Sequence, residues 1–130
     1  MATVANYVVI SDRPTDLKIG DNADNSAEFS FPIPADAAIA AAQKSEHPIL
    51  SLMVNSMGAA KALKANISIN GVNVWNYGPT DADLARPFHE VVKKTDQALK
   101  IGSNMLRVKL ESGQGTFRVS DIVVWFQSNV

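Results

Sequence analysis

Trp75, Asn76 and Tyr77 are consecutive residues whose side chains are of the types that bind sugars. A pyranose ring packs its flat face on an aromatic ring, while nearby amides and carboxylates bind its hydroxyl groups. Asp81 and Asp83 follow in a polar loop and supply two carboxylates. Strand alternation places the two aromatic rings on one face and the amide on the other, so in a flat strand the three side chains cannot contact the same ligand. Two interpretations stay open: an exposed aromatic platform for a ligand, or two rings buried in the core.

A second oxygen-rich group lies in the loop formed by residues 21–25. Asp21, Asn22 and Asp24 carry the carboxylate and amide oxygens that calcium prefers. The loop does not match the EF-hand pattern, because Ala23 occupies its third position and no glutamate occupies its twelfth. An Asx-rich turn explains the same residues without a metal, since Asp and Asn side chains hydrogen-bond their own backbone. We favour the turn, and a structural calcium ion is the alternative.

The sequence lacks the motifs of common catalytic and nucleotide-binding sites. It contains no Gly-x-Ser-x-Gly elbow, no phosphate-binding loop and no Gly-x-Gly-x-x-Gly. It contains no cysteine, which excludes disulfides, thiolate nucleophiles and cysteine-ligated metals. His47 and His89 are far apart in the sequence, so they do not indicate a metal site or a catalytic dyad. We therefore predict that the chain binds or assembles and is not an enzyme.

The charge balance argues against nucleic acid as a partner. The chain has 12 basic and 13 acidic residues, a net charge of -1. Phosphate binding needs clustered Lys and Arg, whereas the largest basic groups here are only pairs, at positions 61 and 64 and at 93 and 94. No apolar run is long enough to span a bilayer, so we expect no membrane insertion. Residues 1–6 show no signal-peptide pattern, which leaves the localisation open, including a secreted or particle-associated one.

Length and turn signals predict a single β-sandwich domain covering residues 1–130. A chain of 130 residues with a hydrophobic fraction of 46% can bury one core. Asn70-Gly71 between two alternating runs is a strong hairpin signal, because both residues tolerate positive φ. With the breaks at Gly58 and at residues 112–115, the pattern predicts an all-β, antiparallel two-sheet sandwich or jelly roll of about eight or nine strands. The predicted strands cover residues 7–10, 17–19, 28–33, 49–54, 65–70, 72–77, 88–92, 105–110 and 117–126.

One or two short helices are predicted between the strands. Residues 35–44 are good helix formers, and Asp36 could cap their start. Residues 95–99 could form a single helical turn. Pro32 and Pro34 place the end of the preceding strand at a sheet edge, because proline cannot donate to a central ladder.

Three segments resemble elements of galactose-binding-like β-sandwiches. Residues 67–72 (ISINGV) resemble their strand–Asn-Gly–strand element, residues 99–108 (LKIGSNMLRV) resemble their Leu-x-x-Gly-x-Asn element, and residues 119–125 (VSDIVVW) resemble their last strand. That superfamily includes many carbohydrate-binding modules and the sugar-contacting domains of polysaccharide lyases. The resemblance implies the sandwich fold and a lectin-like, carbohydrate-binding function. Because these motifs form turns and breaks, the resemblance does not assign binding residues.

The last predicted strand supports a second class of function. Val123 and Trp125 face one side of this strand and Val124 and Phe126 face the other, so both faces are apolar. Such a strand is buried on both sides or packs against another subunit, and we expect Trp125 to pack rather than to bind a ligand. The alternative function is therefore a structural or assembly subunit of a homo-oligomer or of a viral, phage or secreted particle. The two functions are compatible, since oligomeric lectins gain avidity.

Overall fold

The computed structural model describes residues 3–20, 23–39, 48–92 and 98–129, and these residues form seven antiparallel β-strands. The all-β antiparallel class predicted from the sequence is confirmed. The strands are β1 (Thr3–Ser11), β2 (Thr15–Leu17), β3 (Ser26–Ile33), β4 (Ile49–Ile69), β5 (Val72–Thr80), β6 (Leu84–Val91) and β7 (Gly102–Asn129).

Two of these strands, β4 and β7, are much longer than the others and pair with each other along most of their length. The register of this pairing shifts between residues 57 and 65, where Gly58, Ala59 and Ala62 have positive φ. The sequence predicted strand breaks here and at residues 112–115, whereas the chain bends and continues. Each long strand therefore replaces two predicted strands, which accounts for seven strands instead of eight or nine.

The bends divide the hydrogen-bonded sheet into two facing layers. In the first layer β1 and β2 pair with the C-terminal half of β7, which pairs with the N-terminal half of β4, which pairs with β6. In the second layer β3, the N-terminal half of β7, the C-terminal half of β4 and β5 follow one another in the same way. The predicted sandwich is therefore built from one continuous sheet that folds over at the two bends.

Two glycines allow β4 and β7 to approach closely at the bends. Gly113 has a φ of 107°, and a Cβ there would clash with the carbonyl oxygen of Ala62. Gly115 has a φ of 105°, and a Cβ there would lie 2.6 Å from the carbonyl oxygen of Met57. Both conditions exclude other residues, since L-amino acids rarely adopt this φ and the backbone leaves no space. The glycine-rich segment thus fixes where the sheet turns over.

The core fills the space between the layers with the inward side chains of alternating positions. Along β4 the even residues 50, 52 and 54 are buried, and after the bend the odd residues 63, 65, 67 and 69 are buried. Each fully buried Val, Leu, Ile or Phe stabilises the fold by about 1.5–3 kcal/mol relative to an exposed one. The largest fully buried side chains are Phe117, Leu17, Ile33, Leu50, Leu63, Ile67, Ile69, Leu106, Leu110, Ile122, Val54 and Val92.

The Asn70-Gly71 hairpin predicted from the sequence is present. Ile69 pairs with Val72 across a two-residue loop, and Asn70 and Gly71 have φ values of 50° and 83°. Both values are positive, as a tight hairpin with right-handed strand twist requires. The Asn70 side chain also donates to the carbonyl of Ala98, at 2.6 Å, and so ties the hairpin to the loop before β7.

The buried side chain of Asn104 organises that loop through four hydrogen bonds. Its Nδ2 donates to the carbonyls of Lys100 and Gly102, at 2.9 and 3.0 Å. Its Oδ1 accepts from the Lys100 backbone N–H, at 3.0 Å, and from Asn70 Nδ2, at 2.8 Å. The Gly-x-Asn element of the sequence resemblance thus has a physical reason: one amide satisfies the backbone of the turn that it follows.

The helix predicted at residues 35–44 does not begin where expected. Ala35 and Asp36 form a turn, and Ala37 forms a bridge with Ser128. The Ala38 N–H donates to Gln127, and Asp36 accepts from the Asn129 N–H, both at 2.7 Å. These hydrogen bonds to the end of β7 override the helix propensity of the alanines.

The remaining positions of both predicted helices, 40–44 and 95–97, lie outside the described residues. No helix is present in the described ranges, so they contain no helix that is long and apolar enough to cross a membrane.

Replacing Asn104 by alanine should destabilise the fold by about 2–4 kcal/mol, because the N–H and carbonyl groups of the turn lose their partner. Urea unfolding measures this free energy. Asn76→Ala is the matched control, since Asn76 is exposed, and it should change the stability by no more than about 0.5 kcal/mol. Equal stabilities for the two variants would contradict the role of Asn104.

Candidate functional site

Trp75 and Tyr77 belong to the core. Each is only 6% exposed, and their rings pack against Phe88 and Phe117 of the first layer, with centroid distances from Trp75 to Phe88 of 5.0 Å and from Tyr77 to Phe117 of 5.3 Å. The Tyr77 hydroxyl lies 3.2 Å from the hydroxyl of buried Ser56, within hydrogen-bond distance. The platform interpretation of these two rings is therefore wrong, and the core interpretation is correct, because β5 turns this face toward the other layer.

Asn76 lies on the opposite face of β5 from the two rings. It is exposed on the outer face of the second layer, where its Oδ1 accepts from Asn73 Nδ2 at 3.0 Å. The structure therefore separates the three consecutive candidates, as strand alternation requires.

The carboxylates of Asp81 and Asp83 hold the bend of β4. Asp83 accepts from the N–H groups of Ala59 and Ala60, at 3.1 and 2.7 Å, and Asp81 accepts from the N–H of Ala62, at 2.8 Å. The bend breaks the regular ladder, so these side chains satisfy N–H groups that the bulge leaves unpaired. A structural role therefore accounts for both carboxylates, and a role in ligand binding stays a prediction.

The calcium candidates lie partly outside the described residues. Asp21 and Asn22 are not described, and Asp24 is exposed, with its carbonyl accepting from the Lys18 N–H at 2.9 Å. Within the described ranges, no three His, Cys, Asp or Glu side chains come together in a group that could hold a metal ion.

An exposed aromatic pair lies on the outer face of the first layer. Tyr7 of β1 and Trp125 of β7 are directly paired across the strands, with ring centroids 5.1 Å apart and a tilt of 40°. Tyr7 is 54% exposed and Trp125 is 43% exposed. The expectation that Trp125 packs rather than contacts ligand is met only in part, because the ring stacks on Tyr7 and leaves much of its surface open.

The pair continues into a row that crosses four strands. Trp125 pairs with Ile49 of β4, and Ile49 pairs with Val91 of β6. We call these four residues the Tyr7–Trp125 row. All four are exposed, and strands spaced about 4.8 Å apart make the row about 14 Å long. The row is therefore a flat apolar strip that runs across the strands.

Polar groups border this row on one side. The next set of outward residues is formed by Val9, Val123, Ser51 and His89. The indole N–H of Trp125 donates to the Ser51 hydroxyl at 2.9 Å, which fixes the orientation of the indole ring. A hydroxyl and an imidazole thus lie beside the apolar strip.

A pocket of about 190 Å³ borders the other side of the row. Its lining includes Trp125 and Gln127, so a residue with a side-chain amide borders the pocket beside the tryptophan. The remaining lining residues are Ala5, Ala38, Pro48, Ile49 and Phe126. The combination of an aromatic wall and a few polar groups is typical of small-molecule sites.

Charged side chains are absent from the row and from the set of outward residues next to it. The ion pair of this face, Asp16 with Arg118, lies at the other end of the layer, with a distance of 2.7 Å between Oδ1 and Nε. Its hydrogen bond to Arg118 holds the pKa of the Asp16 carboxyl below its usual value. The strip is therefore apolar and uncharged, with its nearest polar neighbours hydroxyl, amide and imidazole groups.

The outer face of the second layer has the opposite character. Its outward positions pair charged residues across strands, for example Glu28 with Arg107, and Lys64 forms an ion pair with Glu111 at 3.6 Å. A solvated sheet face has this composition. The contrast marks the first layer as the surface suited to binding, because contiguous exposed apolar patches are uncommon on soluble monomers.

The sequence alone does not reveal this site, because its two rings are 118 positions apart. At Trp125 the sequence does indicate an unusual surface, because the last strand is apolar on both faces. The signal at Tyr7 was an aromatic residue in an uncharged β-branched run. Only the pairing of the first strand with the last brings the two together.

No protein-family model matches the sequence, and no curated protein matches it. Solved structures match it by fold. BuGH86, solved in complex with neoagarooctaose, has a TM-score of 0.58 at 15% identity over 97% of this chain and 19% of its own. A family 29 carbohydrate-binding module has a TM-score of 0.50 at 10% identity over 94% of this chain and 92% of its own.

The extent of these matches differs. The chain spans about a fifth of the length of BuGH86, whereas it covers nearly all of the family 29 module. At such low identity the likeness concerns the fold alone. The chain therefore has the β-sandwich fold found in carbohydrate-binding modules, which confirms the fold implied by the sequence resemblance.

The two tryptophans should respond differently to a quencher dissolved in the solvent. In Trp75→Phe the remaining Trp125 is exposed, so acrylamide should quench its fluorescence strongly. In Trp125→Phe the remaining Trp75 is buried, so quenching should be several-fold weaker and emission should be at shorter wavelength. Similar quenching constants for the two variants would contradict the exposure of Trp125.

Proposed function

We propose that this chain is a non-catalytic carbohydrate-binding module that binds its ligand on the Tyr7–Trp125 row. The observation that carries the proposal is the exposed aromatic pair on a flat, uncharged sheet face. Sugar rings have an apolar face that packs on aromatic rings, and their hydroxyls need a few hydrogen-bonding groups nearby. Ser51, His89 and Gln127 provide such groups beside the row.

The shape of the row favours a chain of several sugars over a single one. The row crosses four strands over about 14 Å, which suits a short oligosaccharide lying across the strands. The absence of charge along the row favours a neutral sugar, since a uronic acid or sulfated sugar would gain nothing from these side chains. The proposed ligand is thus a segment of a neutral polysaccharide.

The proposal assigns no catalytic step to this site. Glycoside cleavage uses two carboxyl groups about 5–10 Å apart across the bond, and the row and the set of outward residues next to it contain no carboxylate. Calcium is not needed for packing on the row. A structural calcium ion at Asp21, Asn22 and Asp24 remains a separate proposal, tested by comparing binding with and without a chelator.

The same face supports an assembly subunit as a second candidate function. Five of the exposed large hydrophobic residues, Tyr7, Val9, Ile49, Val91 and Trp125, lie on it. A patch of this kind is also typical of a protein interface. A homo-oligomer that covers the row would bind no sugar, so the binding experiment separates the two candidates.

Replacing Trp125 by alanine should weaken sugar binding at least about tenfold, because the ligand loses its central stacking surface. Tyr7→Ala should have a similar effect, and Asn76→Ala, on the outer face of the second layer, should have none. A glycan array selects the ligand, and calorimetry measures the affinities of folded variants.

If the unmodified chain binds no sugar on a broad glycan array, either with calcium or with a chelator, the result would favour the assembly subunit. Binding that survives Trp125→Ala would place the sugar elsewhere on the chain. Loss of binding only in the chelator would assign the metal a role.

A further inference from the structure

The five strands at the edges of the sheet differ in how they are protected against pairing with another chain. β3, β5 and β6 each contain a proline, at Pro32, Pro79 and Pro87. β2 has only three residues and carries Asp16. Proline, charge, short length and β-bulges are among the means by which proteins block an open strand edge.

β1 has no proline, no charge and no shortening, and its one register shift, between Val9 and Ser11, lies near its C-terminal end. Its sequence TVANYVVIS contains no proline, no glycine and no charged residue over nine positions. It pairs with β7 on one side, and no other described strand pairs with its second side. A long, uncharged strand with an open edge offers backbone N–H and carbonyl groups to another strand. The Tyr7 N–H donates to the neighbouring Asn6 Oδ1, at 2.8 Å, a local and exposed hydrogen bond that a strand partner could replace.

We propose that β1 pairs with β1 of a second copy of this chain, antiparallel and edge to edge. A two-fold axis perpendicular to the sheet produces this arrangement and makes the interface self-complementary. The absence of charge on β1 matters, since self-pairing brings each strand against its own copy and would place like charges near each other. At β2 the same operation, centred on Asp16, would place the two Asp16 carboxylates opposite each other.

An overlap centred on Tyr7 pairs residues 5–9 of the two copies, with Tyr7 opposite Tyr7, and leaves the irregularity between Val9 and Ser11 outside this central ladder. The axis keeps the outer faces of both first layers on the same side. The two Tyr7–Trp125 rows then form one continuous line across eight strands. The dimer does not depend on sugar binding, but it would double the length of the surface to which a polysaccharide could bind.

Sedimentation of the unmodified chain tests the dimer. We expect a mass that rises from 14.0 kDa toward twice that value as concentration increases to about 1 mM, since one strand pair is a small interface. Tyr7→Lys should keep the chain a monomer, because it places two like charges directly opposite each other on the two-fold axis. Val91→Lys, at the opposite edge of the same face, should leave the dimer unchanged.

A cysteine scan tests the register, and the absence of native cysteine makes each variant unambiguous. Tyr7→Cys should form an intermolecular disulfide rapidly under mild oxidation, because opposite residues lie within disulfide reach. Val91→Cys is the control and should cross-link far more slowly. A chain that stays at 14.0 kDa throughout, a dimer that survives Tyr7→Lys, or equal cross-linking of the two cysteine variants would overturn the proposal.

Discussion

The antiparallel pairing of β4 with β7 is the constraint on which the other elements depend, because every other strand pairs with one of these two. β1, β2 and β3 pair with β7, and β5 and β6 pair with β4. The bends of the two strands coincide, so the two halves of the sheet face each other. Gly113 and Gly115 make the approach possible, and Asp81 and Asp83 satisfy the N–H groups that the bend of β4 exposes. The two layers can enclose a core because the glycines of β7 and the carboxylates that bind the bend of β4 act at the same place in the sheet.

The two outer faces of the sandwich differ in the polarity of the side chains that they expose to solvent. The second layer carries paired charges, which are easily hydrated, whereas the first layer exposes an aromatic pair and aliphatic neighbours. An exposed tryptophan stabilises the fold less than a buried one would, so folding alone does not explain why Trp125 lies beside Tyr7 on the surface. A binding role gives this distribution a physical reason, and the rigidity of a sheet suits it, since little order must be gained on binding.

Local chemistry could be predicted from the sequence, whereas long-range pairing could not. The Asn70-Gly71 hairpin and the alternation along residues 105–110 follow from neighbours in the chain. The burial of Trp75 and Tyr77 depends on which layer β5 faces, and alternation alone cannot decide between the two faces of a strand. The Tyr7–Trp125 pair requires the first strand to join the last. The helix predicted at residues 35–44 fails at its start for the same reason, because the end of β7 provides hydrogen bonds that the local sequence does not reveal.

The pairing of Thr3 with Asn129 places the two ends of the described chain side by side. A tensile force applied at both ends would therefore load the hydrogen bonds between β1 and β7 one after another, as in opening a zipper, rather than all at once. β1 would peel away at low force while the bent β4–β7 pair stayed intact. Since Tyr7 leaves with β1, the aromatic surface would come apart before the core does, and mechanical load would release whatever the surface holds.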